Sequence, residues 1–246
     1  MMLRHVDLCS GIGGFSLGFE WAELSTPILF CDTEEWCRKI LAKNFPNVPI
    51  ATDVKELAND PERLVPDCDI LTAGYPCQPF SVAGKQKGTE DDRHIWPFIF
   101  RIVAQKRPTW CVFENVHGHV ALGLDQVLLD LEAEGYSTRT FIVSAAAAGA
   151  PHKRNRLWIV AYSDSARLQG RQNARDTSQS WTQRNEQSSR RSKLTDGQNW
   201  LVEPNVGRVA HGVSRRVDRL KGLGNAIVPQ IAMNIGLAIK EKDNGM

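Results

Sequence analysis

The chain has 246 residues, 42% of them apolar and 24% charged, with a formal net charge of +2. That is an ordinary globular composition, long enough for one full domain or a large one with a small one, and able to bury a core without disulfides or metals. It excludes a collagen-like chain, a fully disordered one and a membrane-spanning one, since no run approaches the roughly 20 apolar residues that cross a bilayer. The first ten residues hold no apolar stretch of signal-peptide type.

Up to residue 162, strand-like and helix-like segments alternate. Residues 5–9 form a strand, 11–14 a glycine-rich turn, and 15–23 show the apolar spacing of a helix. A second strand at 27–31 leads to a helix at 34–45, a short apolar segment at 48–51 and a helix over 54–64. Strand 68–73, helix 94–105, strand 110–113 and helix 122–134 follow, and strands at 141–143 and 157–162 close the series. Such alternation predicts an α/β fold: a doubly wound, mainly parallel sheet with helices on both faces. In these sheets ligands bind beyond the carboxyl ends of the strands.

The composition then changes. From 163 to 199 only Ala166, Leu168, Ala174, Trp181 and Leu194 are apolar, too few to bury a core. Apolar residues return after Trp200, and Pro229 opens a helix to about residue 240. Residues 163–224 hold 12 basic and 6 acidic residues, and the rest of the chain 18 and 22. A net of +6 therefore rides on a body of −4. This is the pattern of local polyanion binding, and also that of a solvated basic linker.

Six cysteines stand at 9, 31, 37, 68, 77 and 111, with no C-x-x-C pair and no histidine cluster at metal-ligand spacing. No metal site is expected. Several lie in apolar runs, where Cys acts as a small hydrophobe. A reducing, cytoplasmic setting is expected.

Four places carry chemistry. In Asp7-Leu8-Cys9-Ser10-Gly11-Ile12-Gly13-Gly14-Phe15, glycines between strand and helix let the backbone approach a ligand at a helix N-terminus. Ser16 stands where a dinucleotide fingerprint needs glycine, which disfavours a nicotinamide or flavin enzyme. Asp32 ends the second strand, where an acidic residue commonly accepts from ribose hydroxyls, and Asp53 ends the third short one, so that these strand ends describe a nucleoside pocket. The same residues would equally serve plain strand–turn–helix connections. Second, Tyr75-Pro76-Cys77-Gln78-Pro79 puts a cysteine directly after a strand, followed by a lid-like stretch at 82–93. Third, Glu114-Asn115-Val116 places a carboxylate at the next strand end, positioned for acid–base work. Fourth, Arg154-Asn155-Arg156 spaces two arginines so that they point the same way from an extended chain.

Order and spacing together resemble the C5-cytosine DNA methyltransferase family. The glycine turn is similar to its first cofactor motif, Pro76-Cys77-Gln78 to its catalytic Pro-Cys motif and Glu114-Asn115-Val116 to its Glu-Asn-Val motif. His152-x-Arg154-x-Arg156 resembles its Gln-x-Arg-x-Arg motif, and Gly222-Leu223-Gly224-Asn225 its closing Gly-Asn motif. The resemblance implies a Rossmann-like S-adenosylmethionine-dependent enzyme without a metal, releasing S-adenosylhomocysteine. Cys77, Glu114, Arg154 and Arg156 would be catalytic. Cys9, Gly11, Gly13, Gly14, Asp32, Thr33, Asp53, Pro76 and Asn225 would form the cofactor pocket. The chain departs from the family pattern at Cys9 (usually Phe), Thr33 (bulky in some members) and His152 (usually Gln). Residues 1–162 and 222–246 would make the catalytic domain, and 163–221 a small, partly mobile target-recognition region.

The implied partner is double-stranded DNA, with no membrane association, and the protein is expected to be a monomer. A cytoplasmic place in a bacterial cell or phage-infected host, within a restriction-modification system or on a phage genome, fits that reading. Two rivals stand beside it: an RNA cytosine-C5 methyltransferase, whose tRNA-acting relatives carry a Cys-Phe-Thr signature absent here, and an inactive DNA-binding relative.

Overall fold

The computed structural model describes residues 2–76, 95–149, 154–163 and 226–244. In chain order these form β1 (Leu3–Leu8), α1 (Gly14–Trp21), β2 (Ser25–Cys31), α2 (Glu35–Asn44), β3 (Ile50–Ala51), α3 (Val54–Asn59), α4 (Pro61–Leu64) and β4 (Ile70–Gly74). Then come α5 (Trp96–Lys106), β5 (Trp110–Val116), α6 (His119–Leu122), α7 (Leu124–Ala133), β6 (Tyr136–Ser144), a 3₁₀ turn (Ala145–Ala148), β7 (Asn155–Ser163) and α8 (Pro229–Asn244).

One seven-stranded sheet runs in the order β3-β2-β1-β4-β5-β7-β6. Its first five strands pair parallel, while β7 is antiparallel to both β5 and β6. The predicted doubly wound sheet is therefore present. Chain order reverses between β1 and β4, where such sheets open a crevice at their carboxyl ends.

Alternation along each strand sorts the core into two layers. Val6, Leu8, Leu71, Ala73, Cys111, Phe113, Leu157 and Ile159 pack under α3, α5 and α7. Ile70, Trp110, Val112, Trp158 and Tyr162 pack under α1 and α8, with Phe15, Phe19, Ile231, Ala232 and Ile239. On that second face, His5, Asp7, Thr72, Gly74, Glu114 and Arg156 occupy the remaining alternate positions of their strands.

Glycines let α1 and α8 touch. A Cβ at Gly18 would lie 2.4 Å from the Pro229 carbonyl oxygen and 2.7 Å from the Ala232 Cβ, and one at Gly14 2.7 Å from the Ile227 Cβ. This brings the segment before α8 against the glycine turn.

Four boundaries differ from the sequence reading. The helix expected over 54–64 breaks at Asp60, whose carboxylate accepts from the Arg63 backbone N–H and which Pro61 follows at the first helical position. A short α6 precedes α7. The last-but-one strand is nine residues long rather than three: outside residues 141–143 this edge strand is mostly Ser, Thr and Arg, without an apolar run to mark it. Finally, β5 continues to Val116, so Glu114 lies within the strand and not at its end.

Candidate active site

The glycine turn is built by backbone conformation and one hydroxyl. Cys9, Gly11 and Gly13 have φ of 49°, 55° and 87°, and Gly13 caps α1 from the left-handed region. Glycine adopts this region at no steric cost; Cys9 does so against its side chain. Ser10 holds the turn to β2, its Oγ donating to the Asp7 and Cys31 carbonyls and accepting from the Cys31 N–H at 3.1 Å. Where a Gly11 Cβ would sit there is open space.

Asp32, directly after β2, closes this corner. Its Oδ2 accepts from the Gly11 N–H at 2.7 Å and its Oδ1 from the Glu34 N–H at 2.8 Å. Each oxygen keeps a lone pair for a further donor, as a ribose diol would require. Burial raises its pKa, while those two N–H groups hold it down. Thr33 beside it is exposed, its carbonyl accepting from Arg38. Asp53 caps α3, Oδ1 accepting from the Lys55 N–H at 2.8 Å. Asp7, Asp32 and Asp53 all act on the Cys9 thiol, which burial already pushes well up, so these carboxylates converge on the turn. An open, positive-φ backbone at a helix start, flanked by Asp32 and Asp53, suits the sugar and base of a nucleoside cofactor.

The second half lies across the switch point. Glu114 pairs with Gly74 of β4 and Trp158 of β7. Its side chain is buried, 7% exposed as a residue, and its Oε1 meets Arg156 Nε at 2.9 Å. Burial pushes the carboxyl up to about 7, against the pull of Arg156 and Arg154. Burial and the neighbouring Arg156 in turn lower Arg154. Arg156 thus pairs with Glu114 directly, and Arg154 acts on the same carboxylate electrostatically. Arg154 Nε and Asn115 Nδ2 are buried with no hydrogen-bond partner among the described residues. An orphan Arg154 donor beside a buried carboxyl is what a site keeps for a polar ligand, while Asn115, one residue on, projects from the opposite face of β5.

Gly74, Tyr75 and Pro76 lead out of β4, with Tyr75 buried and Pro76 exposed. Tyr75 Oη lies 3.1 Å from His119 Nε2, which joins this exit to the segment after β5. A Cβ on Gly74 would lie 3.3 Å from Ile227 Cδ1, so the residues preceding α8 cover both the glycine turn and the β4 exit. Cys77, His152, Asn225 and most of the expected recognition region, with the 82–93 stretch, lie outside the described residues. The sequence reading missed the buried polar group formed by His5, Asp7, Ser16 and Thr72. Its signal was two polar residues at alternate positions of an otherwise apolar strand.

Among the described residues there is no cluster of metal-ligating side chains, and no helix is long and apolar enough to cross a membrane. The five described cysteines are free thiols.

The profile of the C-5 cytosine-specific DNA methylase family matches residues 3–221. A Type II methyltransferase of Bacillus subtilis, M2.BsuMI, is 34% identical over 171 residues, covering 65% of this chain and 42% of its own length. M.NgoBI, a Type II methyltransferase of Neisseria gonorrhoeae, is 37% identical over 169 residues, covering 67% and 52%. Among solved structures, the S. pombe Dnmt2 methyltransferase shares the fold with a TM-score of 0.58 at 23% identity, over 72% of this chain and 58% of that one. The chain spans about half the length of the relatives it matches.

Proposed function

Because the chain belongs to the C-5 cytosine-specific DNA methylase family, we propose that it methylates C5 of a flipped-out cytosine in a specific duplex DNA sequence, through a covalent bond from Cys77 to C6. The observation that carries this reading is Glu114: a buried carboxyl at about pKa 7, paired with Arg156, beside Arg154 and the β4 exit that leads to Cys77.

A stacked cytosine hides its ring atoms, so the base must leave the duplex to reach this site. Protonated Glu114 donates to N3 and its other oxygen accepts from the exocyclic amine. The Cys77 thiolate adds to C6, and the electron pair moves onto the ring toward C5, with the Glu114 proton relieving the charge at N3. Arg154 and Arg156 stabilise the remaining negative charge and hold the carboxyl in place. S-adenosylmethionine, when bound, supplies the electrophilic methyl group that C5 takes. Loss of the C5 proton to a base restores the double bond and breaks the bond to Cys77.

The residues present fit that cofactor. Asp32 would accept from its ribose hydroxyls and Asp53 from its adenine amino group, with Cys9, Gly11, Gly13, Gly14, Thr33 and Pro76 shaping the pocket. Asn225, two residues before Ile227, would close it. Residues 163–221 would read the DNA, where Arg and Lys contact phosphates or guanine edges and Gln and Asn read adenine. The protein would act as a cytoplasmic monomer, in a restriction-modification setting like that of its Type II relatives.

Bisulfite sequencing of DNA from cells expressing the protein tests activity and target together. Protected cytosines in one sequence context are expected, and none in Cys77→Ala. Methylation that survives Cys77→Ala overturns the covalent mechanism. Transfer to tRNA and not to duplex DNA would replace the substrate.

A further inference from the structure

Beneath the glycine turn, four buried side chains close on one another. Thr72 Oγ1 lies 2.8 Å from Asp7 Oδ1, and Ser16 Oγ 3.0 Å from Asp7 Oδ2. His5 Nε2 lies 2.8 Å from Thr72 Oγ1, and His5 Nδ1 3.3 Å from Ser16 Oγ. All four residues are wholly inaccessible to solvent. We propose that His5, Asp7, Ser16 and Thr72 form a closed hydrogen-bonded ring that holds one proton shared between His5 and Asp7, and that this ring positions the 9–13 turn for the cofactor. The positioning half rests on the cofactor reading above; the shared proton does not.

The count is simple. Four contacts need four hydrogens, one per edge. The two hydroxyls supply two, and a neutral imidazole supplies a third. An ionised carboxylate supplies none, so a ring of neutral His5 and ionised Asp7 lacks one hydrogen and carries a buried charge. Adding a single proton completes it, either on the carboxyl or on the imidazole, and makes it neutral overall. Burial acts in the direction this requires, pushing Asp7 up to about 7 and His5 down to about 3.

Among the described residues the surroundings offer no cationic substitute. Besides the hydroxyls, the groups facing the ring are the Ser16 backbone N–H, the Phe19 ring 5.3 Å from His5, and Asp32, a like charge that raises Asp7 further. The ring's members also explain its reach. His5 and Asp7 lie on β1 just before the turn, Ser16 on the first turn of α1, and Thr72 on β4 two residues before Gly74. Both Asp7 oxygens are taken, so this carboxyl shapes the turn and does not face a ligand.

Linkage makes the shared proton measurable. Between about pH 4 and 6.5 the folded pair holds one proton, on Asp7, and the unfolded pair also holds one, on His5. The pair therefore adds no slope to wild-type stability there. Asp7→Asn keeps every edge: its amide donates to Thr72, Thr72 to His5, His5 to Ser16, and Ser16 to the amide oxygen. Left with a lone neutral His5, it loses stability against wild type as pH falls below 6.5, the unfolding constant rising toward about tenfold per unit. His5→Phe leaves Asp7 alone and loses stability the other way, as pH rises from about 4 toward 7.

The experiment is urea unfolding of wild type, Asp7→Asn and His5→Phe from pH 4 to 8, with calorimetric binding of S-adenosylhomocysteine to wild type, Asp7→Asn and Thr72→Val. Opposite slopes for the first two variants are expected. Asp7→Asn should bind within about threefold of wild type, and Thr72→Val, which removes two of the four edges, at least about tenfold more weakly. Flat slopes in both variants, or an Asp7→Asn chain that cannot fold, overturn the ring. Wild-type binding by Thr72→Val overturns its positioning role. Failure of wild type itself to bind overturns the cofactor reading, and the slopes still decide the proton.

Discussion

Glu114→Gln separates the proton that Glu114 gives from the hydrogen bonds that it makes. Glutamine has the same shape, donates to N3 through its amide and accepts from the exocyclic amine, yet transfers no proton. General acid–base help is worth about 10²–10⁴ in rate, so kcat should fall by that factor while KM for DNA stays within a few-fold. In wild type, activity should rise with pH as the nucleophilic thiolate forms and fall again above about 7, as Glu114 ionises. The falling limb should be missing in the variant. Stability should move the opposite way. Glu114 is raised from 4.5 to about 7 in the fold. The favourable contribution of its neutral form is complete below about 4.5 and is lost as pH rises through about 7. At about 1.4 kcal/mol per pH unit, that gap is worth about 3 kcal/mol. Glutamine does not ionise, so the variant should be more stable than wild type by up to about 3 kcal/mol at pH 8, and about equal to it at pH 4. Methyl transfer to duplex DNA across pH 5.5–9, beside urea titrations at both ends, reads both effects. A falling limb that persists in Glu114→Gln, or a loss confined to KM, would refute the assignment.

Arg156→Ala removes the neighbour that holds Glu114 down, so the falling limb should shift to higher pH in the same assay; a shift to lower pH is incompatible with the ion pair. Asp32→Ala loses the Gly11 contact and the proposed ribose acceptor, which at about 1.5–3 kcal/mol for charge-assisted bonds predicts S-adenosylhomocysteine binding weakened by roughly 10–100-fold in calorimetry. Gly18→Ala forces a Cβ to 2.4 Å from the Pro229 carbonyl oxygen. Since the obstacle is backbone, α8 must shift, and denaturant unfolding should show a loss of about 1–3 kcal/mol.

What was legible in the sequence follows from physical period and composition. The strands of the buried sheet are short apolar runs between turn residues, and the turn residues that end them (Gly11, Asp32, Asp53, Gly74) stand where the structure places the crevice. β6 was read only at 141–143, because the rest of this exposed edge strand has no apolar run to declare it. The break at Asp60-Pro61 was readable from the proline, but the apolar spacing on both sides masked it. Glu114 was found, though its character was not. Nothing in the letters Glu-Asn-Val says that the carboxyl is buried beside two arginines, because that depends on β7 pairing antiparallel with β5 across 40 residues. The His5–Asp7 ring was missed for the same reason: its third and fourth members come from α1 and β4, and only the parallel pairing of β1 with β4 joins them.

Both buried acids lie on one face of the sheet, and they answer the same physical problem differently. A carboxyl shut away from water must be neutralised, by a proton or by a cation. Among the described residues Asp7 has no cation near it, only hydroxyls, an imidazole and a like charge, and the proposed retained proton would complete its hydrogen bonds. Glu114 has Arg156 at 2.9 Å and Arg154 nearby, which pull its pKa back to about 7. It therefore exchanges its proton near neutrality, beside an Arg154 Nε that no described residue satisfies. On the proposed reading, the same burial makes one carboxyl a strut under the glycine turn and the other the acid of the reaction, and the difference is the arginines at 154 and 156. Arginine at 154 and 156 sets when Glu114 holds a proton as well as what charge the site can bear.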